Sequence, residues 1–294
     1  MNTIGYRNLV LVFVLMVSAT LTHGYGGNEE NAARKVLNQA RAAIGSDATL
    51  SGVKSFTSSW RFRRLLRNGE QSSGELQLDF LLPDKFTRNE TVNLSGNTGK
   101  IITLSILNGD EAWSDVRSSS VEIPVINSGS GGAAERDILR KSLRKDYAGY
   151  LLQFLLTSAP SPAVEFTYIG EAQAEDGQAD VIEVKDEKIS LSMRLFFDKE
   201  THRLLLLTYR EAAPRKFSLP SSGKKSFQPE QQSVPASPPD TEVQLRYADY
   251  RPEDGILVAH RITRTRNGKL DQEMELKSFK VNPPFNLDHF KVKR

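Results

Sequence analysis

What most constrains this chain is a period of two. Apolar and polar side chains alternate over short runs that recur along most of its length. Such alternation puts one face of an extended strand in a core and the other in water. Phe56, Trp60 and Phe62 share one parity, as do Leu76, Leu78, Phe80 and Leu82 beyond the turn signal Asn68-Gly69, so these two runs read as a hairpin. The pattern returns at Leu191, Met193, Leu195 and Phe197, then at Leu205, Leu207 and Tyr209, with Asp198 to His202 between them as a second hairpin. Val243, Leu245 and Tyr247, then Ile256, Val258 and Ile262, lead to the turn Asn267-Gly268 and a last strand from Glu273 to Val281. In that strand the apolar parity shifts between Leu276 and Phe279, which predicts a β-bulge. Shorter candidates cover 86–94, 101–107, 112–116, 121–126, 164–170 and 180–185, giving about ten to twelve strands in all.

Two segments break the alternation. Ala33, Val36, Leu37, Ala40 and Ile44 recur at steps of three and four before Gly45, which predicts an amphipathic helix over 28–44. Ile138, Leu139, Leu143, Tyr147, Tyr150, Leu151, Phe154 and Leu155 form a broader stripe that ends before Pro160 and Pro162. That stripe has to be covered, and strands flank it directly. No segment shows the strand, helix, strand order of a parallel sheet, so the economical arrangement is mainly β: one curved antiparallel sheet with both helices laid against it. Residues 212–241 are dense in Pro, Ser and charge and read as a disordered loop between two strands. A domain linker is the other reading, but the strands on its two sides are of the same type.

Residues 1–24 carry Arg7, an apolar run from Leu9 to Ala19 and a small or polar stretch to Gly24, the order of a secretory signal peptide. The apolar run falls short of the about 20 helical residues that span a bilayer. It is expected to be cleaved after Gly24, an uncleaved anchor being the alternative, which leaves 25–294 as one soluble domain. Lys and Arg number 39 against 36 Asp and Glu, a net charge of +3 that excludes a strongly basic nucleic-acid-binding domain. Hydrophobic residues at 38% are enough for a packed core. The absence of Cys excludes disulfides, thiolate metal sites, a Cys nucleophile and an acylated Cys.

Motifs for chemistry are missing. There is no G-x-S-x-G, and the Gly-rich run Gly129 to Gly132 has neither a strand immediately before it nor a phosphate-anchoring Lys-Ser or Lys-Thr, so it reads as a connection. Asp84 near Glu90, and Asp176 near Asp180, flank turn signals and read as solvated loop charges. Arg61, Arg63, Arg64 and Arg67 would suit an acidic partner or lipid headgroups, with a solvated strand face as the plainer alternative. His202, His260 and His289 are scattered without metal-ligand spacing. No catalytic residue, metal or cofactor is therefore expected, although barrels can host chemistry without cofactors. What remains is a set of large apolar side chains on a sheet able to enclose volume: Trp60, Phe62, Leu78, Phe80, Phe86, Trp113, Leu195, Phe197 and Leu205. They are the candidate lining of a cavity for an apolar ligand, or else fill a solid core.

Several of these runs coincide with one family. The strand Ser59-Trp60-Arg61-Phe62, the run Gly74-Glu75-Leu76-Gln77-Leu78-Asp79-Phe80 leading to Leu82-Pro83-Asp84-Lys85-Phe86-Thr87-Arg88, and the block Leu107-Asn108-Gly109-Asp110-Glu111-Ala112-Trp113 resemble the periplasmic outer-membrane lipoprotein carriers of the LolA-like superfamily. The closing Asn282-Pro283-Pro284-Phe285-Asn286-Leu287-Asp288-His289-Phe290 is similar to the end of many relatives. The resemblance implies a half-open antiparallel barrel of about eleven strands, its mouth covered by two helices and its lining binding acyl chains. It implies a non-enzymatic periplasmic carrier or binder of a lipid, a lipoprotein acyl chain or another apolar ligand. Such a carrier would act as a monomer, with a membrane-associated donor or acceptor as partner and no nucleic acid. Relatives that serve as envelope sensors imply the alternative, an interaction module binding a membrane partner. In the lipoprotein carrier an Arg precedes the turn Pro and helps hold the lid helices; here Leu82 stands before Pro83.

Overall fold

The computed structural model describes residues 26–65, 69–94, 99–119, 132–154, 164–174, 177–211 and 241–292. The expected leader, the strand candidate over 121–126, nearly all of the Gly-rich run and residues 212–240 of the Pro-rich loop lie outside them. Among the described residues there are three α-helices: α1 (Gly26–Ile44), a short α2 (Asp47–Ser51) that the alternation did not reveal, and α3 (Ala133–Phe154). Twelve strands follow one another as β1 (Ser55–Leu65), β2 (Gln71–Leu81), β3 (Lys85–Asn93), β4 (Lys100–Asn108), β5 (Glu111–Ser118), β6 (Glu165–Ala174), β7 (Gly177–Asp186), β8 (Leu191–Asp198), β9 (Leu204–Glu211), β10 (Thr241–Glu253), β11 (Ile256–Arg266) and β12 (Lys269–Val281).

All twelve form one antiparallel sheet in the order β5-β4-β3-β2-β1-β12-β11-β10-β9-β8-β7-β6. Two meanders, β1 to β5 and β6 to β12, are joined by the pairing of β1 with β12, and β5 and β6 are left as the outer strands. The curved, half-open sheet expected from the sequence is thus present, with one strand more than about eleven. The expected bulge is there too: Ser59 pairs with Ser278 while Trp60 pairs with Leu276, so Lys277 is the extra residue. Asn267 and Gly268 both take left-handed φ values, 47° and 73°, as the two-residue turn between β11 and β12 requires.

Register fixes which side chains meet on the concave face. Phe56, Phe80 and Phe86 lie in one cross-strand row, with Phe56 stacked on Phe80 at 4.2 Å between centroids. Beside them run Ser58, Leu78 and Arg88, then Trp60, Leu76 and Glu90. The buried indole N–H of Trp60 donates to Ser58 Oγ at 3.1 Å, which satisfies the one polar atom of that ring. Helix α3 closes this face: Tyr147 packs 5.6 Å from Phe80, and Phe154 sits 5.6 Å from Phe56 and 6.1 Å from Trp60. Side-chain ties anchor the helix: Tyr147 Oη donates to the Pro83 carbonyl at 2.6 Å, Arg144 and Arg140 both pair with Asp110, at 2.7 and 4.0 Å, and Arg88 reaches Asp146 at 3.3 Å. Helix α1 buries Ala33, Val36, Ala40 and Ile44, the stripe its periodicity predicts, and packs on β6 and β11.

Gly74 on β2 is required by its neighbours. A Cβ there would stand 2.1 Å from the Thr91 carbonyl oxygen and 2.4 Å from Cζ of Phe62, the residue paired with Gly74 across the strands. The missing side chain makes room for the Phe62 ring, and the Arg64 guanidinium lies 5.1 Å from that ring's centroid. Gly74→Ala is expected to lower unfolding free energy by about 1–3 kcal/mol, because the nearest obstacle is backbone. Urea denaturation of the variant beside the parent protein checks this.

Candidate functional site

Between α3 and the concave face lies a cavity of about 280 Å³. Its size places it at the lower edge of the about 300–1,000 Å³ typical of small-molecule sites. One part of the wall is apolar: Trp60, Leu76 and Leu78 from β1 and β2, Phe154 from α3, and Met193, Leu207, Leu245, Ile262 and Met274 from β8 to β12. The other part is charged. It is built from Arg64, Arg88, Glu90, Glu211 and Arg264 on the strands and Lys145 and Asp146 on α3, with Tyr150, Gln153, Tyr209 and Gln272 among them.

The charged residues reach the cavity by strand parity. Phe86, Arg88, Glu90 and Val92 alternate with outward residues on β3, so the two charges stand on the same face as Phe86. On β1 the inward set Phe56, Ser58, Trp60 and Phe62 ends at Arg64, and on β11 Ile262 is followed on its face by Arg264. Arg64 and Arg264 each pair in register with Gln272 of β12, one from either side.

Ion pairs knit this wall together. Glu90 accepts from Arg64 at 2.9 Å and from Arg88 at 2.5 Å, and Arg88 also reaches Asp146 on α3. Arg264 pairs with Glu211 at 2.9 Å, and Tyr209 donates to the same carboxylate at 3.1 Å. Burial works to raise the Glu90 carboxyl, but Arg88 and Arg64 outweigh it and hold the group below its ordinary value of 4.5. Asp146 is moved the other way: burial pushes its carboxyl up against the opposing pull of Arg88.

Of the residues expected from sequence to line a cavity, Trp60 and Leu78 do so. Phe80, Phe86, Leu195 and Phe197 point to the same face but are packed into the core beneath it, and Phe62 is buried over Gly74. Trp113 stands on the opposite face, in register with Ile106, which pairs in turn with Thr87. Leu205 is the bulge residue between the pairs Phe196 with Leu206 and Phe197 with Leu204, and it packs on the outer cluster of Ala179, Val181, Phe196 and Leu206. The expectation of solvated loop charges fails for Glu90, which is buried on the inner face of β3; Asp84, in the β2–β3 turn, pairs with Lys85 at 3.4 Å. The run of arginines on β1 is divided between faces: Arg64 enters the cavity, Arg63 pairs outside with Glu273 at 3.3 Å, and Arg67 is outside the described residues.

One cluster on the outer face has the composition of a proton relay. His289 Nε2 lies 2.8 Å from Asp79 and 3.3 Å from the Thr87 hydroxyl, which itself donates to Asp79 at 3.1 Å. A relay needs acid and nucleophile on different ring nitrogens, and here both contacts use Nε2. The arrangement is a strap holding the C-terminal segment on β2 and β3. Among the described residues no group of His, Asp and Glu has the geometry to hold a metal ion.

No family model and no curated protein matches the sequence. Solved structures match by shape. A domain named for outer membrane lipoprotein sorting, from Vibrio parahaemolyticus, aligns over 88% of this chain and 97% of its own at 12% identity, with a TM-score of 0.50. A LolA superfamily protein from Nitrosomonas europaea covers the same shares at 12% identity, with a TM-score of 0.45. The chain therefore shares the fold of the Vibrio domain, the open antiparallel barrel that the LolA-like resemblance implies, with helices on its concave side.

Replacing Glu90 with Gln removes the negative charge shared by two arginines and turns one of its two acceptor oxygens into a donor, and is expected to cost about 1–3 kcal/mol at pH 7. Because the folded carboxyl titrates below 4.5, the unfolded chain takes up the proton first. The stability that Glu90 contributes is then fully present above that pH and is lost as pH falls through the lower folded value. The gap between E90Q and the parent protein, measured by denaturant titration, should narrow steadily below about pH 4.5.

Proposed function

We propose that this protein is a non-enzymatic binder or carrier of a lipid or acyl-chain ligand in the bacterial periplasm, reached through a cleaved leader over residues 1–24. The observation that carries this reading is the cavity between α3 and the sheet, where an apolar wall of Trp60, Leu78, Phe154, Met193, Leu245 and Met274 is left unfilled inside an otherwise packed half-barrel. Burying an alkyl chain there gains about 25 cal/mol per Å² of apolar surface. Its two Met side chains adapt to chains of different shape. The volume suits one chain better than several.

The fold shared with the Vibrio domain, named for lipoprotein sorting, supports the same reading. So does the composition of the site, in which carboxylates and guanidinium groups hold one another in ion pairs. No helix among the described residues is long and apolar enough to cross a membrane.

Gly149 offers a clean test. It lies on the cavity side of α3, and a Cβ placed there would sit 3.7 Å from Met193 Cε, an ordinary contact. Gly149→Phe fills the cavity from a helix position where losing Gly gains about 0.5 kcal/mol or more of helix propensity. The variant is expected to fold with undiminished thermal stability and to lose at least about tenfold in affinity for a fluorescent fatty acid that the parent protein takes up. Uptake unchanged by G149F, or no uptake by the parent protein, would remove the cavity from the function.

A further inference from the structure

An apolar cavity needs no arginines, yet this one has three, together with a lysine. Arg64, Arg88, Lys145 and Arg264 face Glu90, Asp146 and Glu211 across the lining, Arg264 also pairs with Asp271 behind it while Arg266 draws on both Glu211 and Asp271, and burial disfavours ionisation of Asp146. The charged wall is thus short of negative charge beside an alkyl-lined space. Hydrogen bonding shows the same deficit at one atom. Arg88 spends Nη1 on Asp146 and Nη2 on Glu90, while its Nε–H is buried with no hydrogen-bond partner among the described residues. A buried donor left unpaired is costly, and a bound acceptor is one way such a group is satisfied. Guanidinium is also the group whose planar donors suit a carboxylate or a phosphate.

Resting on the binding reading above, we infer that the ligand is an anionic single-chain amphiphile. Its carboxylate or phosphate sits at Arg88 and Arg64, and its chain lies along Trp60, Leu78, Met193 and Met274. Head and tail are selected by different walls of one cavity. The β1 and β3 arginines are pre-positioned for this by Glu90, which holds both, and by the Phe62 ring beneath Arg64. The apolar wall alone would accept a neutral chain; the arginines set the preference for the anion.

The test is calorimetric titration of the full mature chain with four probes: dodecanoate, dodecyl phosphate, dodecanol and inorganic phosphate. The two anionic amphiphiles are expected to bind about tenfold or more tightly than dodecanol, and inorganic phosphate far more weakly than dodecyl phosphate. Which of the two anions binds tighter identifies a fatty acid or a phosphate-headed lipid as the source. In R64Q and R88Q the preference over dodecanol should collapse. Should R88Q fail to fold, R88K keeps the charge without the planar donors and is expected to lose most of the preference, alongside R64Q.

Equal binding of dodecanol and dodecanoate by the parent protein would overturn the anionic preference while leaving the binding reading intact. Inorganic phosphate as tight as dodecyl phosphate would reduce the site to one for a free anion and overturn it as well. Binding of none of the amphiphiles would bring down the binding reading itself.

Discussion

Everything in this molecule hangs on the ladder between β1 and β12. Each meander is a local structure, its strands joined to their sequence neighbours, but neither has a concavity worth filling on its own. Only when Phe56 to Arg64 pairs with Gln272 to Val281 do the two halves become one curved sheet, with Trp60, Met274 and Phe279 on a common inner face. The contacts that make this ladder span more than two hundred residues, as with Arg63 and Glu273, separated by 210 positions. Closing a loop of that length costs entropy that the contacts of the ladder must offset. Its end is secured accordingly: Asn282 accepts from the Lys54 amide at 2.8 Å, donates to the Gly52 carbonyl at 3.0 Å, and gives its own amide to Ser55 at 2.8 Å.

The architecture was largely legible because period-two alternation is a strong local signal. It even placed a bulge between Leu276 and Phe279, which could not share a face without an extra residue, and the register makes that residue Lys277. The same method failed where a second bulge intervened. Leu205, Leu207 and Tyr209 look like one face in sequence, yet the irregularity between Phe196 and Phe197 turns Leu205 outward and leaves Leu204 in the core. A bulge is invisible when Leu occupies every position around it.

The polar half of the site was hidden for a different reason. Charged residues near turn signals look solvated, so Glu90 passed for surface, and Arg88 two residues before it drew no attention. Their parity with Phe86 and Val92 held the clue, since a strand whose apolar face is interrupted by a cation and an anion two residues apart has a place for both inside. Arg64 was concealed likewise among outward arginines, although it continues the inner series from Trp60 and Phe62. Nothing in sequence could have brought β3, β11 and α3 together at one wall, because that depends on the curvature of the sheet and on how α3 crosses it.

The helix that covers the cavity is held differently from the sheet that frames it. It follows the outermost strand of one meander and precedes that of the other, so it takes part in no ladder of the sheet. Swinging it away from the concave face breaks side-chain ties at Pro83, Asp110 and Arg88 and uncovers aromatic surface, yet leaves the twelve-stranded hydrogen-bond network whole. The cover and the frame are thus held by different interactions: side-chain contacts hold α3, and the backbone ladder holds the sheet.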